Sequence, residues 1–208
     1  MRTEGIQRIV AERGIRFLLH FTFLRNVPAM VEHGIWPVAD LAEARFDALV
    51  PPSEQLNKKP TAVSLSIEAM SASLFDKKSG GVADAARVAL FLDPAILWRE
   101  PCRFCATNAA TRQMRDHTGY LGGPWGLGRL FDDPPEGLAP WLPSDPDAEV
   151  QVQGRIAPDY ILGAWTSARE EAAALLALLD RLPGVERDVV LAPFTRQGGR
   201  IIPPLPRS

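Results

Sequence analysis

The hydrophobic pattern of the chain comes in short blocks separated by polar, proline-broken connections. Over 4–13 the apolar residues Ile6, Ile9 and Val10 share one face at helical spacing, and Gly14 supplies the stop. The run "RFLLHFT" at 16–22 is strand material, short and aromatic-rich. It carries His20 and Thr22, which lie two positions apart and so share a face. Asn26 then reads as the N-cap of a helix over "VPAMVEH", closed by Gly34. Residues 35–61 are broken by prolines and predict mostly loop, with a turn of helix at 40–45. "TAVSLSI" at 61–67 alternates, with Ser64 and Ser66 on one face and Val63, Leu65 and Ile67 on the other. "RVALFLD" at 87–93 is almost continuously apolar, the pattern of a central strand buried on both sides, and "PAILW" adds a helical turn.

Between 119 and 147 the chain is rich in glycine and proline and has no period. Tyr120, Trp125, Phe131 and Trp141 argue against plain disorder, so the segment is expected to be an ordered loop over an active site. "AEVQVQGRI" alternates again, with Val150 and Val152 opposed to Glu149, Gln151 and Gln153. The strongest helical signal is "SAREEAAALLALLDRL" at 167–182, where Ser167 and Glu170 have the spacing of a capping box. "DVVLAPF" at 188–194 predicts a last strand, and the tail "RQGGRIIPPLPRS" an extended arm. There is no internal repeat.

Composition narrows the choices. A chain of 208 residues can bury one sizeable core, and a single domain over 1–208 is expected. A formal net charge of -2 argues against coating nucleic acid by bulk charge and confines any such site to a local groove. No apolar stretch has the length of a membrane span, and "MRTEGIQRIVAERG" lacks an apolar core after its charges, so a soluble, cytoplasmic protein is expected. "CRFC" places Cys102 and Cys105 as half of a zinc site, a redox pair, or two packed thiols. His20, His33 and His117 do not fall at ligand spacing beside them, which favours packed thiols and no metal.

Taken singly, the polar residues on the strands have ordinary explanations: a hydrogen-bonded core histidine, edge serines, a solvated glutamate. Their order along the chain adds to this. "LLHFTFLRNVPAMVEHGI", "AVSLSI" followed by "LFDKK", "VALFLDPAILW", "CRFCATNAAT" and "PSDPDAEVQV" resemble, in sequence, the successive blocks of the DarT family of ADP-ribosyltransferases. The resemblance covers roughly residues 16 to 162.

What the resemblance implies is an α+β ADP-ribosyltransferase fold related to the poly(ADP-ribose) polymerases. Its central β-sheet is split, with peripheral helices around a cleft that holds NAD. The implied activity is transfer of ADP-ribose from NAD, as substrate, to thymine or guanine in single-stranded DNA. The implied role is that of a bacterial toxin opposed by a DarG-like macrodomain antitoxin, and a monomer without a metal is expected. Breaking the nicotinamide–ribose bond creates an oxocarbenium-like centre, so the enzyme must hold the dinucleotide rigidly and place negative charge beside the developing cation. By resemblance Glu149 is that carboxylate, facing His20 across the same ribose. His20 would bond a ribose hydroxyl, and the backbone at Phe21 would grip the nicotinamide amide. Thr22 with Asn26 would shape the cleft floor, Ser64 and Ser66 would add contacts, and Phe75 or, less favoured, Tyr120 would stack on nicotinamide.

One departure stands out. The family carries an arginine shortly before its second strand block; here the aligned position is Gln55, and the arginine between Asn26 and Val63 is Arg45. Either Arg45 takes the role from a shifted loop or the chain works without it, since a glutamine can meet a base edge but brings no charge to a phosphate. A base must be unstacked to react, which suits a single strand held by aromatic and cationic side chains. Trp125, Arg129, Trp141, Lys77 and Lys78 are the candidates, with Lys58 and Lys59 nearby. "CRFCATNAAT" is read as structural, with Thr107 and Asn108 capping a turn. The same chemistry on RNA or protein, and a degenerate NAD-binding protein without turnover, remain the alternatives.

Overall fold

The computed structural model describes residues 2–45, 47–48, 50, 61–79, 86–117 and 119–204. The alternating runs become strands: β1 Leu18–Phe23, β2 Ala62–Ile67, β3 Met70–Ser71, β4 Arg87–Leu92, β5 Cys102–Cys105, β6 Glu149–Gln153, β7 Ile161–Thr166 and β8 Asp188–Leu191. A terminal hairpin adds β9 Arg196–Gln197 and β10 Arg200–Ile201. The main sheet has the order β5-β6-β2-β1-β4-β7-β8, antiparallel except for the β7–β8 pair. β1, with its two polar residues, is therefore at the centre.

Both faces of this sheet are covered, which explains why β4 is apolar on every position from Val88 to Leu92. On one face Leu18, Leu65, Leu90 and Val150 pack against Ile6 and Val10 of the helix Arg2–Arg13. Val27 and Val31 of the helix Val27–His33, and Leu175 and Leu179 of the helix Arg169–Leu179, complete that core. On the other face Leu19, Ala89, Phe91 and Trp165 meet Phe75, Met70 and Ile201. Gly34 ends the 27–33 helix with a φ of 83°, and a Cβ there would lie 2.3 Å from the Ile156 carbonyl oxygen. Only glycine lets this helix end close onto the Ile35–Ile156 bridge, which fixes the helix beside β1.

β1 pairs with β4 along its whole length, from Leu18↔Leu92 to Phe23↔Arg87. With β2 it is paired only at Leu18↔Ile67 and Leu19↔Ser66. The sheet thus splits beyond Leu19, and residues 20–23 border the gap.

Four local expectations are corrected. Asn26 stands at the helix N-cap position but is in the helical region of φ/ψ and caps nothing with its side chain; its amide donates instead to Thr22 Oγ1 at 3.3 Å. The capping box at Ser167 does not form, because β7 runs to Thr166 and the helix starts only at Arg169; the Ala168 N–H is taken by Thr166 Oγ1 at 3.1 Å. The tail is not a free arm through Ile201: Gly198 and Gly199, both at positive φ, turn β9 onto β10, and β10 pairs with β3. The 119–147 segment, expected as an ordered loop, is not loop throughout, since it holds the helix Gly123–Gly128 and a 3₁₀ turn Arg129–Phe131, with Leu127, Leu130 and Phe131 in the core. The helix Gly123–Gly128 packs on the helix Arg2–Arg13 and on β5 without a sequence period, so spacing could not reveal it.

Candidate active site

The split in the sheet opens two adjoining cavities. The larger, of about 810 Å³, is lined by His20, Phe21, Thr22, Arg25, Asn26 and residues of the 27–33 and Val38–Glu43 helices, among others. The smaller, of about 390 Å³, is lined by Leu19, Phe21, Ser64, Ser66, Ser71, Phe75 and Glu149, among others. Phe21 is the common wall.

The two polar sets are separated by strand alternation. Ser64 pairs with Gln151 and Leu65 with Val150, so the same register sets Glu149 beside Ser66, the partner of Leu19. Glu149 accordingly shares a side with the odd residues of β1, whereas His20 and Thr22 are even. The expectation that Glu149 faces His20 across one ribose is revised. They belong to neighbouring chambers that meet at Phe21.

The link between the chambers is the His20 ring. Its Nδ1 donates to the Ser64 carbonyl at 3.2 Å, so the side chain spans the gap where the β1–β2 ladder has ended. A carbonyl can only accept, so the Nδ1 that faces it carries a proton. Asn26 and Thr22, joined through the amide and hydroxyl, both line the larger chamber. Phe75 lies edge-on to Phe21, with ring centroids 4.9 Å apart at 69°, and walls the smaller chamber. Tyr120 is 69% exposed and belongs to neither lining.

Glu149 is only 9% exposed. Its Oε1 accepts from Asn108 Nδ2 at 3.3 Å. Asn108 is brought there by the β5–β6 pairing, which ends at Cys105↔Glu149, and it also shapes its own turn: its Oδ1 accepts from the Ala110 N–H at 2.8 Å. The capping role expected of Asn108 is present, but the contact with Glu149 had no signal in the sequence, because it depends on which strand lies beside which.

Two further cavity residues escaped the pattern. Arg25, on the turn Leu24–Asn26 directly after β1, lines the larger chamber and meets Asp47 Oδ2 at 3.3 Å. Trp36 also lines it, and the Arg155 guanidinium lies 3.6 Å from its ring centroid. Arg45 sits at positive φ on an exposed turn and lines neither chamber. Gln55, Lys58 and Lys59 lie outside the described residues.

Trp125 is 59% exposed, with the Arg129 guanidinium 5.1 Å from its ring centroid. Trp141 is half-buried against the larger core beneath Arg16. Lys77 is exposed on the helix Ala72–Ser79, which also carries Lys78. The two cysteines are buried, and burial pushes their thiols up to about 12 for Cys102 and about 11 for Cys105. Among the described residues no group of three or more His, Cys, Asp or Glu is arranged to hold a metal ion. No helix among them is long and apolar enough to cross a membrane.

No protein-family model matches the sequence, and no curated protein does either. Solved structures do. The chain is similar to Thermosipho africanus DarTG in complex with ADP-ribose, at 15% identity and a TM-score of 0.58, over 85% of this chain and 50% of that one. It therefore spans about half the length of that protein. It is similar to Thermus sp. 2.9 DarT in complex with carba-NAD+, at 13% identity and a TM-score of 0.58, over 84% of this chain and 95% of that one. The same Thermus protein in complex with ADP-ribosylated single-stranded DNA matches at 14% identity and a TM-score of 0.52, covering 86% of this chain and 95% of that one. The chain shares the fold of these ADP-ribosyltransferases.

Proposed function

We propose that this chain is an NAD-dependent ADP-ribosyltransferase that modifies a base, thymine or guanine, in single-stranded DNA. The observation that carries the reading is a buried carboxylate, Glu149, held by Asn108 beside a split in the sheet that the His20 ring spans. The shared fold and the ligands of its structural neighbours, carba-NAD+ and ADP-ribosylated single-stranded DNA, support it.

In this reading His20 and the Phe21 backbone hold the nicotinamide riboside, with Thr22 and Asn26 as the floor of the larger chamber. Ser64 and Ser66 contact the sugar side, and Phe75 packs against the nicotinamide ring. The bond from C1′ to the nicotinamide nitrogen breaks with its electron pair leaving on nicotinamide. Glu149 stabilises the positive charge left on the ribose. A base nitrogen then attacks C1′ and its proton passes to solvent. No covalent enzyme intermediate is needed. Positioning and fixed charge supply the rate.

The strand approaches with its base unstacked. Trp125 with Arg129 offers an exposed stacking and cationic pair, and Lys77 and Lys78 add charge; Trp141 supports the loop from below. Gln55 or Arg45 meets the target base in place of the family arginine. The described residues work as one transferase domain in the cytoplasm, as a monomer, and a macrodomain protein that removes ADP-ribose is the antitoxin partner.

Incubation with NAD is expected to raise the mass of a mixed-sequence single-stranded DNA by one ADP-ribose unit, with Glu149→Gln giving no product. Labelling of RNA or protein with DNA unmodified would move the acceptor. NAD binding without any transfer would reduce the chain to a binding protein.

A further inference from the structure

A dinucleotide brings two negative charges on its pyrophosphate, and a cationic side chain in the cavity binds them more strongly than neutral donors do. The residues expected to hold NAD include no lysine or arginine: they are His20, Phe21, Thr22, Asn26, Ser64, Ser66 and Phe75. Among the described residues that line the larger chamber, Arg25 is the only lysine or arginine, and Asp47 the only carboxylate.

Resting on the reading of the site as a NAD cleft, we infer that Arg25 receives the pyrophosphate and that Asp47 holds its place until the dinucleotide binds. Arg25 follows β1 by two residues, so its guanidinium is tethered to the strand that carries His20. Asn26, its neighbour, is engaged with Thr22, which orders the turn from which Arg25 projects. The Arg25–Asp47 contact is a single one at 3.3 Å, with side chains 55% and 95% exposed. Such a pair is screened by water and held at little gain. A pyrophosphate offers several oxygens and two charges to the same planar fork, so it displaces one exposed carboxylate.

Arg87 is a second arginine near the site, but its guanidinium lies over the Phe75 ring at 5.6 Å and lines neither chamber. Arg25 thus supplies the charge that a glutamine at position 55 lacks, from a different segment of the chain.

The test is calorimetric titration of the full chain with NAD, repeated with inorganic pyrophosphate as competitor and at two ionic strengths. Arg25→Ala is expected to weaken NAD binding by about tenfold or more and to abolish competition by pyrophosphate, while Arg25→Lys recovers part of the loss. Asp47→Asn is expected to tighten NAD binding, because it removes the competing carboxylate. The wild-type affinity should fall with salt more steeply than that of Arg25→Ala. Unfolding scans establish that each variant is folded. Unchanged NAD affinity in a folded Arg25→Ala overturns the inference and leaves the NAD reading standing. Loss of affinity in Arg45→Ala with Arg25→Ala neutral, or a loss confined to DNA binding, also overturns it. Failure of the wild type to bind NAD sinks the underlying reading instead.

Discussion

Glu149 and Asn108 show how one side chain can carry two duties. The Asn108 Oδ1 holds the turn at Ala110, while its Nδ2 donates to Glu149. Asn108→Asp keeps the first contact and replaces the second with two carboxylates set against each other. The expected result is a transfer rate lowered by about tenfold or more, with little change in melting temperature or NAD affinity. Asn108→Ala should lower both the rate and the stability, the latter by about 1 kcal/mol for the lost turn bond. A rate unchanged in Asn108→Asp would show that Glu149 is not placed by this contact. At the same scale, the buried thiols of Cys102 and Cys105 are inert: they should resist alkylation in the folded protein and react only on unfolding.

Among the elements, the terminal hairpin has the least expected role. β10 pairs with β3, and Arg200 is buried, its Nη2 donating to the Pro143 carbonyl at 2.6 Å and the Ser144 carbonyl at 3.0 Å. Ser71 of β3 donates to Asp147 in turn. The segment leading into Glu149 is therefore pinned from the far end of the chain. Replacing Arg200 with Met removes these charge-assisted bonds and leaves two buried carbonyls to find other donors. A loss of about 2–4 kcal/mol in urea unfolding is expected, together with a kcat reduced more than NAD affinity. A stability loss with kcat intact would make the hairpin a structural brace alone.

For the molecule as a whole, stability should depend on alkaline pH through those same thiols. Their folded values, about 12 and about 11, lie above the ordinary 9.0 because burial penalises the thiolate. A group raised on folding contributes its full stability below the unfolded value. The unfolded chain starts to lose these protons near pH 9.0, the folded one only toward 11 and 12, so stability falls as pH rises through that window. The fall in unfolding free energy above pH 9 should be shallower in Cys102→Ala/Cys105→Ala than in the wild type. Equal slopes would mean that the thiols ionise alike in both states.

Much of the fold was legible because alternation and burial obey local rules. Leu18 and Leu19 face opposite cores, Ser64 and Ser66 share a side, and the apolar run at 87–93 lies inside the sheet, as two-residue periodicity requires. The order of the candidate blocks could be read too, since His20, Thr22 and Glu149 stand out as polar residues on apolar strands. Only tertiary structure decided what lies across from what. Strand order put Glu149 beside Ser66 and Asn108, and the early end of the β1–β2 ladder gave His20 its gap to span. It also carried Arg25 into the larger chamber and drew Arg200 under the loop before Glu149. The hydrogen bonds among those contacts join residues 41 to 57 positions apart, and no local period encodes a distance set by the pairing of strands.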